Sequence, residues 1–507
     1  MRTSSWFGSN PLLVSAAVSG LIYLFVFTLP YLLPNFYDTV PPVDYAKLTG
    51  YSAAGFLAYT FGVIALFGLY YGALQQLRPP IWRPNLSRRI VFGGAVVFAA
   101  ILIFAYPITA IDLFIYAVRT RGWALYHLPP LATPPQALPA TDPWLGLAGE
   151  WIDAASPYGP LWEWLSLAGY ALSGGDFLGQ LLLLKLMGAL AYLGCVWLVY
   201  HILQQLRPSW ALTGTLAFGW NPLVLFESVQ NAHNDIVMIF FLLAAIWLLS
   251  WQAATRPTLL PAESPLRRFV PALVCLLLAA SILVKFVTVA IAPFFLLLLA
   301  SQQPTPRRRV TAGAGYGLLT ALLVIIPLGL MWPGWQNWAL LNAGSLAGRS
   351  LLALLVLALR GWLGTNLAFD VARALIFGAF LLIYFYYLWQ TARQIDQPLP
   401  LAQPVAASFY GLFWYVLLAA GVFHAWYLLW FVPLASLLLP RQRPLAASLV
   451  FSITALLIIP YFETVRVWFP ALLQNHLLGH LIGVPLLLLP PALTLLWPIR
   501  PTGRSEV

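Results

Sequence analysis

Asp112, in the segment PITAIDLFIY, is the carboxylate best placed to do chemistry, because it directly follows a long apolar run. The chain has only 15 acidic residues, and a carboxylate at the end of a membrane helix is held rigidly at the mouth of any cavity that the helices enclose. Such a group can serve as a general base towards a hydroxyl substrate. The alternative is an ordinary interfacial residue.

A second polar cluster lies between two apolar runs, in NPLVLFESVQNAHNDIVMIFF. Its members are Glu227, Gln230, Asn231, His233, Asn234 and Asp235. One charged side chain at bilayer depth costs roughly 2.5–3.5 kcal/mol, so a cluster of this size indicates a functional site. The alternative is a solvated turn in which Asn and Asp cap a helix. The spacing gives no complete set of metal ligands, so we predict no metal site and no required cofactor, although a divalent metal is possible.

Lys285, in ASILVKFVTVAIAP, is the only charge in a long apolar stretch. A buried lysine without an anionic partner loses its charge, whereas a phosphate group would keep it charged. Arg349 and Arg360 flank a further apolar stretch, and Arg349 could contact the same phosphate because a guanidinium binds phosphate oxygens in pairs. The alternatives are a snorkelling lysine and arginines that anchor lipid headgroups.

Aromatic residues surround one histidine in GVFHAWYLLWFVPL, which contains His424, Trp426, Tyr427 and Trp430. Trp and Tyr are common at membrane interfaces, so the histidine carries most of the information. Aromatic faces beside a hydrogen-bonding group suit a sugar, whose C–H face stacks on rings while its hydroxyls need polar partners. We therefore predict contact with a sugar or a lipid-linked carrier.

The elements that must position these residues are membrane helices. Of the 507 residues, 61% are hydrophobic and only 8% are charged, whereas soluble domains have about 25% charged residues. Continuous apolar runs such as LLLLKLMGALAYLGCVWLVY exclude the alternating pattern of a transmembrane barrel. The net charge of +11 fits basic loops beside an anionic membrane leaflet and does not require nucleic acid. Cys195 and Cys275 lie within apolar runs and offer no disulfide framework.

The apolar runs predict an all-α polytopic membrane protein with about 14 transmembrane helices, in a range of 11–14. The predicted spans are 11–33, 51–77, 89–110, 177–205, 209–227, 235–252, 270–284, 286–300, 309–330, 370–393, 405–422, 426–439, 445–461 and 481–498. With both termini in the cytoplasm, 17 of the 26 basic residues lie on the inner side, as the positive-inside rule requires. The stretches 158–173 and 351–364 do not fit as crossings and are predicted as re-entrant or surface helices of the outer face. Two pairs of short spans meet at Lys285 and at His424, and broken helices of this kind commonly line a cavity.

In the order of its motifs, the chain resembles the GT-C superfamily of membrane glycosyltransferases, and most of all the polyprenol-phosphate-mannose-dependent α-1,6-mannosyltransferases. The motifs are DLFIYAVRTRG, SPYGPLW, NPLVLFESVQNAHNDIVM, the Lys285 segment and FHAWYLLW. The resemblance implies a GT-C-like helical bundle with outer-face surface helices and a large first catalytic outer loop, 107–158, within a single domain, 1–507. Residues 1–88 would be N-terminal helices, 89–300 the catalytic core and 301–507 the helices that complete the cavity.

The resemblance also implies roles for individual residues. Asp112 matches the catalytic base of the superfamily, and Lys285 and Arg349 would hold the donor phosphate beside it. Contacts to the acceptor and the sugar would come from three parts of the chain: the superfamily's second acidic motif, its first surface helix and the aromatic segment. These contacts are Tyr158, Trp162, His233, Asn234, Asp235, His424, Trp426 and Tyr427.

The function implied is that of an inverting glycosyltransferase of the cell envelope, a multi-pass plasma-membrane protein with its active site on the outer face. It would move a hexose, expected to be mannose, from a polyprenyl-phosphate carrier to a glycan or glycolipid. The donor, the acceptor and membrane lipid would be its partners, with no nucleic acid. The alternatives are a transporter or flippase, whose buried charges would line a pathway, and a non-catalytic polytopic subunit.

Overall fold

Long apolar runs fold into helices because lipid leaves every backbone N–H and C=O group to be satisfied within the chain. The computed structural model describes residues 10–38, 43–81, 83–254, 265–331 and 348–497. Within these ranges, ten helices are long and apolar enough to cross a membrane. They are Pro11–Tyr31, Ala53–Gln76, Pro84–Leu102, Phe177–Leu206, Asp235–Ala254, Pro306–Leu330, Thr365–Ala392, Ala402–Ala419, Gln442–Trp468 and His476–Leu496. The predicted all-α polytopic membrane fold is confirmed.

Shorter apolar helices lie where the sequence predicts broken or surface helices. They are Arg268–Val284, Ala292–Ser301, Leu351–Leu363 and Ala425–Leu437. The predicted span 209–227 is instead divided into Ala211–Gly219 and Pro222–Leu225. Pro222 lacks a backbone N–H group, and the Asn221 side chain accepts a hydrogen bond from the Leu223 N–H at 3.0 Å, which starts a new helix.

The remaining helical elements are local. They include Leu33–Phe36, Tyr45–Leu48, Asp112–Tyr126, Pro135–Ala137, Leu145–Trp151, Pro160–Leu172, Pro208–Trp210, Phe226–Gln230, Phe286–Ala290 and Pro470–Gln474. In the part of the chain that the structure describes there is no β-strand, and two isolated bridges join Leu32 to Ala105 and Gly348 to Val422.

Apolar side chains fill the interior of the bundle and also cover its outside. One cluster of buried apolar residues extends from Leu12 to Leu495. Large apolar side chains on the outside are nevertheless open, as at Leu330 with 83% and Trp362 with 88% of their surface exposed. Only a lipid environment accommodates so much outward-facing apolar surface. The protein is therefore a membrane protein, while its sidedness stays a prediction. Of the basic residues assigned to the inner side, Arg2, Arg256, Arg500 and Arg504 lie outside the described residues.

Asp112 begins a helix instead of ending one. The helix Pro84–Leu102 stops before Pro107, whose ring cannot continue a helical ladder, so the predicted span 89–110 is too long. The chain beyond it is fixed by backbone hydrogen bonds from Tyr106 N to Tyr31 O at 2.7 Å and from Tyr45 N to Ile108 O at 2.8 Å. Asp112 then opens the helix Asp112–Tyr126.

Two glycines allow backbones to approach closely behind the polar residues. A Cβ atom on Gly188 would lie 2.6 Å from the Ser228 carbonyl oxygen, so only glycine lets the helix Phe177–Leu206 pack against the π-helical segment Phe226–Gln230. A Cβ atom on Gly159 would lie 2.0 Å from the Leu283 carbonyl oxygen. That contact brings Tyr158 next to the break at Lys285.

Candidate active site

A cavity of about 1110 Å³ lies where the broken helices meet. Six of the predicted site residues line it, namely Asp112, Tyr158, Lys285, His424, Trp426 and Tyr427. The rest of the wall is largely apolar. It comes from the helix that starts at Asp112, from the loop residues 132–157, from residues 286–293 and 420–430, and from the helices Thr365–Ala392 and Ala402–Ala419. The prediction that the breaks at Lys285 and His424 line a cavity is confirmed.

Asp112 is 5% exposed and lies at the polar end of the cavity. The Tyr158 hydroxyl donates a hydrogen bond to Asp112 Oδ2 at 3.4 Å and accepts one from the Tyr116 hydroxyl at 3.4 Å. A tyrosine pair therefore orients one carboxylate oxygen. The geometry suits a general base, since the group is fixed and borders open volume that a substrate hydroxyl can enter.

His233 lies behind Asp112 and is fully buried. Its Nδ1 is 3.6 Å from Asp112 Oδ2 and its Nε2 is 3.2 Å from Glu227 Oε2, although neither contact meets hydrogen-bond geometry. The backbone N–H of His233 donates to the Glu227 carbonyl at 3.0 Å. The Asn231 amide donates to Glu227 Oε2 at 2.9 Å. One histidine thus separates two buried carboxylates.

Lys285 has a carboxylate partner that the sequence did not reveal. Its Nζ lies 2.8 Å from Oδ1 and 2.9 Å from Oδ2 of Asp235, which also accepts a hydrogen bond from the Trp430 indole. The Nζ also lies 5.4 Å from the ring centre of Tyr158 and 5.7 Å from that of Tyr427. Asp235 is therefore an anionic partner of Lys285 within the chain, and contact between Lys285 and a donor phosphate stays a prediction.

Arg349 lies beside the cavity rather than in its wall. Its guanidinium pairs with Glu463. The preceding residue, Gly348, exchanges backbone hydrogen bonds with Gly421 and Phe423 at 3.1 and 2.9 Å. Arg349 is thus tied to the segment that carries His424, and its contact with a donor phosphate stays a prediction.

An aromatic platform closes one side of the cavity. The Trp426 ring stacks on His424, with ring centres 4.1 Å apart, and on His233, with ring centres 4.0 Å apart. Tyr427 stacks on Trp430 at 4.3 Å. Burial lowers the pKa of His424, and the positive charges of Arg349 and Lys285 lower it further. His424 is therefore neutral near pH 7 and offers one hydrogen-bond donor and one acceptor, as sugar hydroxyls require.

Other predicted contacts lie behind the cavity wall. Trp162 is 1% exposed and packs edge-on against Tyr116, with ring centres 4.9 Å apart. Asn234 is fully buried, and its side-chain amide has no hydrogen-bond partner among the described residues. Trp162, His233, Asn234 and Asp235 support the residues of the wall instead of forming it.

Arg119 is the main wall residue that the sequence reasoning missed. It is 6% exposed, and its Nη2 donates to the carbonyls of Ala154 and Ala155 at 2.8 and 3.2 Å, while its buried Nε has no partner. Asp112, Ile115 and Arg119 all line the cavity. Their spacing of i, i+3 and i+7 is that of one helix face, and this was the available signal.

A family model described as alpha-(1->6)-mannopyranosyltransferase, N-terminal domain, matches residues 30–301, which are 272 of the 507 residues. The match contains Asp112, Tyr158, the 227–235 cluster and Lys285. No curated protein and no solved structure matches the chain. The chain belongs to the alpha-(1->6)-mannopyranosyltransferase family, and its activity is mannosyl transfer.

Proposed function

We propose that the protein transfers mannose from a polyprenyl-phosphate carrier to a hydroxyl of a glycan or glycolipid at the outer face of the membrane. The observation that carries this proposal is one continuous cavity, with Asp112 and Lys285 in its polar part and an apolar groove beyond them. A donor with a sugar phosphate at one end and an isoprenoid chain at the other has the same arrangement, a polar end followed by an apolar part.

The apolar groove provides the proposed place for the isoprenoid chain. Its wall includes Val289, Phe377, Phe380, Tyr384 and Leu412. Val289 and Phe377 are 53% and 45% exposed, so the groove extends to the surface of the bundle that faces lipid. A carrier could therefore enter sideways from the bilayer while its phosphate remains at the polar end.

The proposed reaction needs one base. Asp112 takes the proton of the acceptor hydroxyl, and the oxygen attacks the anomeric carbon as the bond from that carbon to the phosphate oxygen breaks. The polyprenyl phosphate leaves with the bonding electron pair. Attack from the side opposite the phosphate inverts the anomeric centre, so a β-linked donor gives an α-linked product.

Cationic side chains would stabilise the leaving phosphate. Lys285 borders the cavity with 15% of its side chain exposed, although it shares its charge with Asp235. Arg119 is a stronger candidate than Arg349, since its hydrogen bonds go to neutral carbonyls and it lines the cavity, whereas Arg349 is paired with Glu463. We propose that Lys285 and Arg119 bind the phosphate and that Arg349 acts on the phosphate only from a greater distance.

The sugar and the acceptor would meet beside Asp112. His424, Trp426 and Tyr427 supply the aromatic platform for the sugar. Tyr158 lies between Asp112 and Lys285, where it can contact both substrates. Among the described residues, no group of three His, Cys, Asp or Glu side chains is arranged to hold a metal ion. We propose a reaction without a required cofactor, which activity in excess chelator tests.

The test is transfer of radiolabelled mannose from synthetic polyprenyl-phosphate mannose to a short mannoside by purified protein in lipid. Asp112→Asn keeps the shape of the side chain and should lower kcat by roughly 10²–10⁴-fold, with donor binding retained. Wild-type turnover by Asp112→Asn would refute the assignment of the base. Flux of donor across sealed vesicles without a new glycosidic bond would instead support a transporter.

A further inference from the structure

Behind Asp112 the structure holds a second carboxylate that no substrate can reach directly. Glu227 is fully buried and is absent from the cavity wall, and His233 lies between it and Asp112. The two ring nitrogens face different carboxylates, at 3.6 Å for Asp112 and 3.2 Å for Glu227. Through an imidazole in this position, the charge of one carboxylate can affect the other.

Contacts on one face of the His233 ring and at its backbone hold the residue in place. Trp426 stacks on one face of it, and the backbone N–H of His233 is bonded to the carbonyl of Glu227. The Asn231 amide fixes Glu227 Oε2, while Glu227 Oε1 and both ring nitrogens have no hydrogen-bond partner of good geometry among the described residues. These unsatisfied atoms in a buried site indicate an arrangement that is completed when a proton is added.

The two distances favour one tautomer. Nε2 lies 3.2 Å from Glu227 Oε2, whereas Nδ1 lies 3.6 Å from Asp112 Oδ2, so the N–H of a neutral His233 belongs on the closer nitrogen, Nε2. Nδ1 is then a lone pair that faces Asp112. That lone pair repels the ionised carboxylate of Asp112 and accepts a hydrogen bond from the protonated carboxyl group. It therefore favours the protonated form of Asp112, which is the form present after Asp112 has taken the acceptor proton.

We propose that His233 and Glu227 are a positioning pair that makes Asp112 a stronger base and receives its proton. The inference rests on the proposed function. The acceptor O–H proton passes to Asp112 and then to His233 Nδ1. This transfer, named the relay below, gives an imidazolium between two carboxylates and restores the charge of Asp112. The phosphate monoester formed in the reaction takes the proton back through Asp112, so no other reactant is needed.

Other charged and titratable groups face this pair and contribute to any pH profile. They are Tyr116, Tyr158, Arg119, Glu150 and Tyr427 around Asp112, Tyr59 beside Glu227, His424 beside His233, and the pair of Lys285 and Asp235. His424 and Asp235 remain unchanged in the variants below, so their contribution is common to all samples. A difference between a variant and the wild type therefore reports on the pair itself.

The kinetic test uses Glu227→Gln, which removes the charge with little change in shape. The relay predicts a kcat roughly 10²-fold lower, an altered pH–rate profile and unchanged donor KM and melting temperature. Asp142→Asn is the matched control, because it replaces another buried carboxylate that lies outside the cavity wall. It should lower the melting temperature but leave the pH–rate profile of the folded enzyme unchanged.

A second measurement does not depend on turnover. The chain has six histidines, so ¹⁵N-histidine spectra are tractable, and His233→Gln identifies the His233 signal by its loss. The relay predicts the Nε2–H tautomer, with a shift of that signal in both Glu227→Gln and Asp112→Asn. An Nδ1–H tautomer, or a signal indifferent to both variants, would overturn the relay. An inactive wild type with the predicted spectra would refute the proposed donor but not the pair.

Discussion

Lys285 and Asp235 form an ion pair beside the cavity, with the lysine Nζ 2.8 and 2.9 Å from the two carboxylate oxygens. The two residues are 50 positions apart in the chain, and the Asp235 side chain is fully buried. The pair joins the start of the helix Asp235–Ala254 to the break after Val284. The pair should therefore matter both for the stability of the fold and for the binding of the donor.

Lys285→Met should destabilise the protein, because it leaves Asp235 buried without its cation. Breaking a buried pair from one side costs about 3–5 kcal/mol. The double variant Lys285→Met/Asp235→Asn removes both charges and should recover most of the melting temperature. Both variants should bind polyprenyl-phosphate mannose roughly 10–100-fold more weakly, since a charged contact to the phosphate is lost. A stable double variant with wild-type donor affinity would show that Lys285 is structural only.

Arg119→Gln should weaken donor binding by roughly tenfold or more, because a guanidinium in the cavity wall is replaced by a neutral amide. Donor affinity is measured by titration in nanodiscs, together with the affinity for the mannoside acceptor. Arg373→Gln is the matched control, since Arg373 forms an exposed pair with Asp370 at 3.3 Å. Equal effects of Arg119→Gln on donor and acceptor would argue for a general loss of shape and against phosphate binding.

Much of the architecture follows from local sequence. The apolar runs predict the long helices, and the charged or polar interruptions at Lys285 and His424 predict the breaks that border the cavity. Asp112 stands out because it is a carboxylate beside an apolar run. Each of these features depends on neighbours within a few positions, so the sequence contains the signal.

The pairings inside the site could not be predicted. Asp112 meets His233, Arg349 meets Glu463 and Lys285 meets Asp235 across many intervening residues, and spacing carries no information about such contacts. The position of Asp112 at a helix start also depends on two backbone hydrogen bonds that only the packed structure supplies, one accepted by the Tyr31 carbonyl and one donated by the Tyr45 N–H. Arg119 was predictable from helical spacing relative to Asp112, but only once the segment was known to be a helix.

Gly159→Ala should abolish most activity while Gly169→Ala should not. A Cβ atom at Gly159 would lie 2.0 Å from the Leu283 carbonyl oxygen, whereas nothing lies within 4 Å of a Cβ atom at Gly169. The first change must separate Tyr158 from Asp112 and Lys285, so kcat should fall roughly 10²-fold because small misplacements of catalytic groups are costly. Both changes are measured in the transfer assay, with expression and melting temperature alongside. Wild-type kcat in Gly159→Ala would mean that the position of Tyr158 is not important.

Asp142→Asn should reduce stability in a way that depends on pH. The Asp142 carboxylate is buried, which raises its pKa, but hydrogen bonds from the Trp144 N–H, the Tyr126 hydroxyl and Arg121 outweigh burial and leave the pKa lowered. A carboxylate whose pKa is lower in the folded state stabilises the fold above its unfolded pKa of about 3.9, and loses this contribution as the pH falls through the folded value. The variant should therefore be less stable than the wild type by about 2 kcal/mol at neutral pH, and the difference should shrink below about pH 4.

The measurement is the free energy of unfolding of both proteins between pH 3 and pH 8. Asp396→Asn is the control, because Asp396 is 83% exposed in its pair with Arg309 and should contribute little at any pH. A difference for Asp142→Asn that stayed constant down to pH 3 would show that the fold needs the shape of this side chain and not its charge. The pH dependence thus separates the ion pair with Arg121 from the packing around Trp144, whose ring lies 4.7 Å from the Arg121 guanidinium carbon.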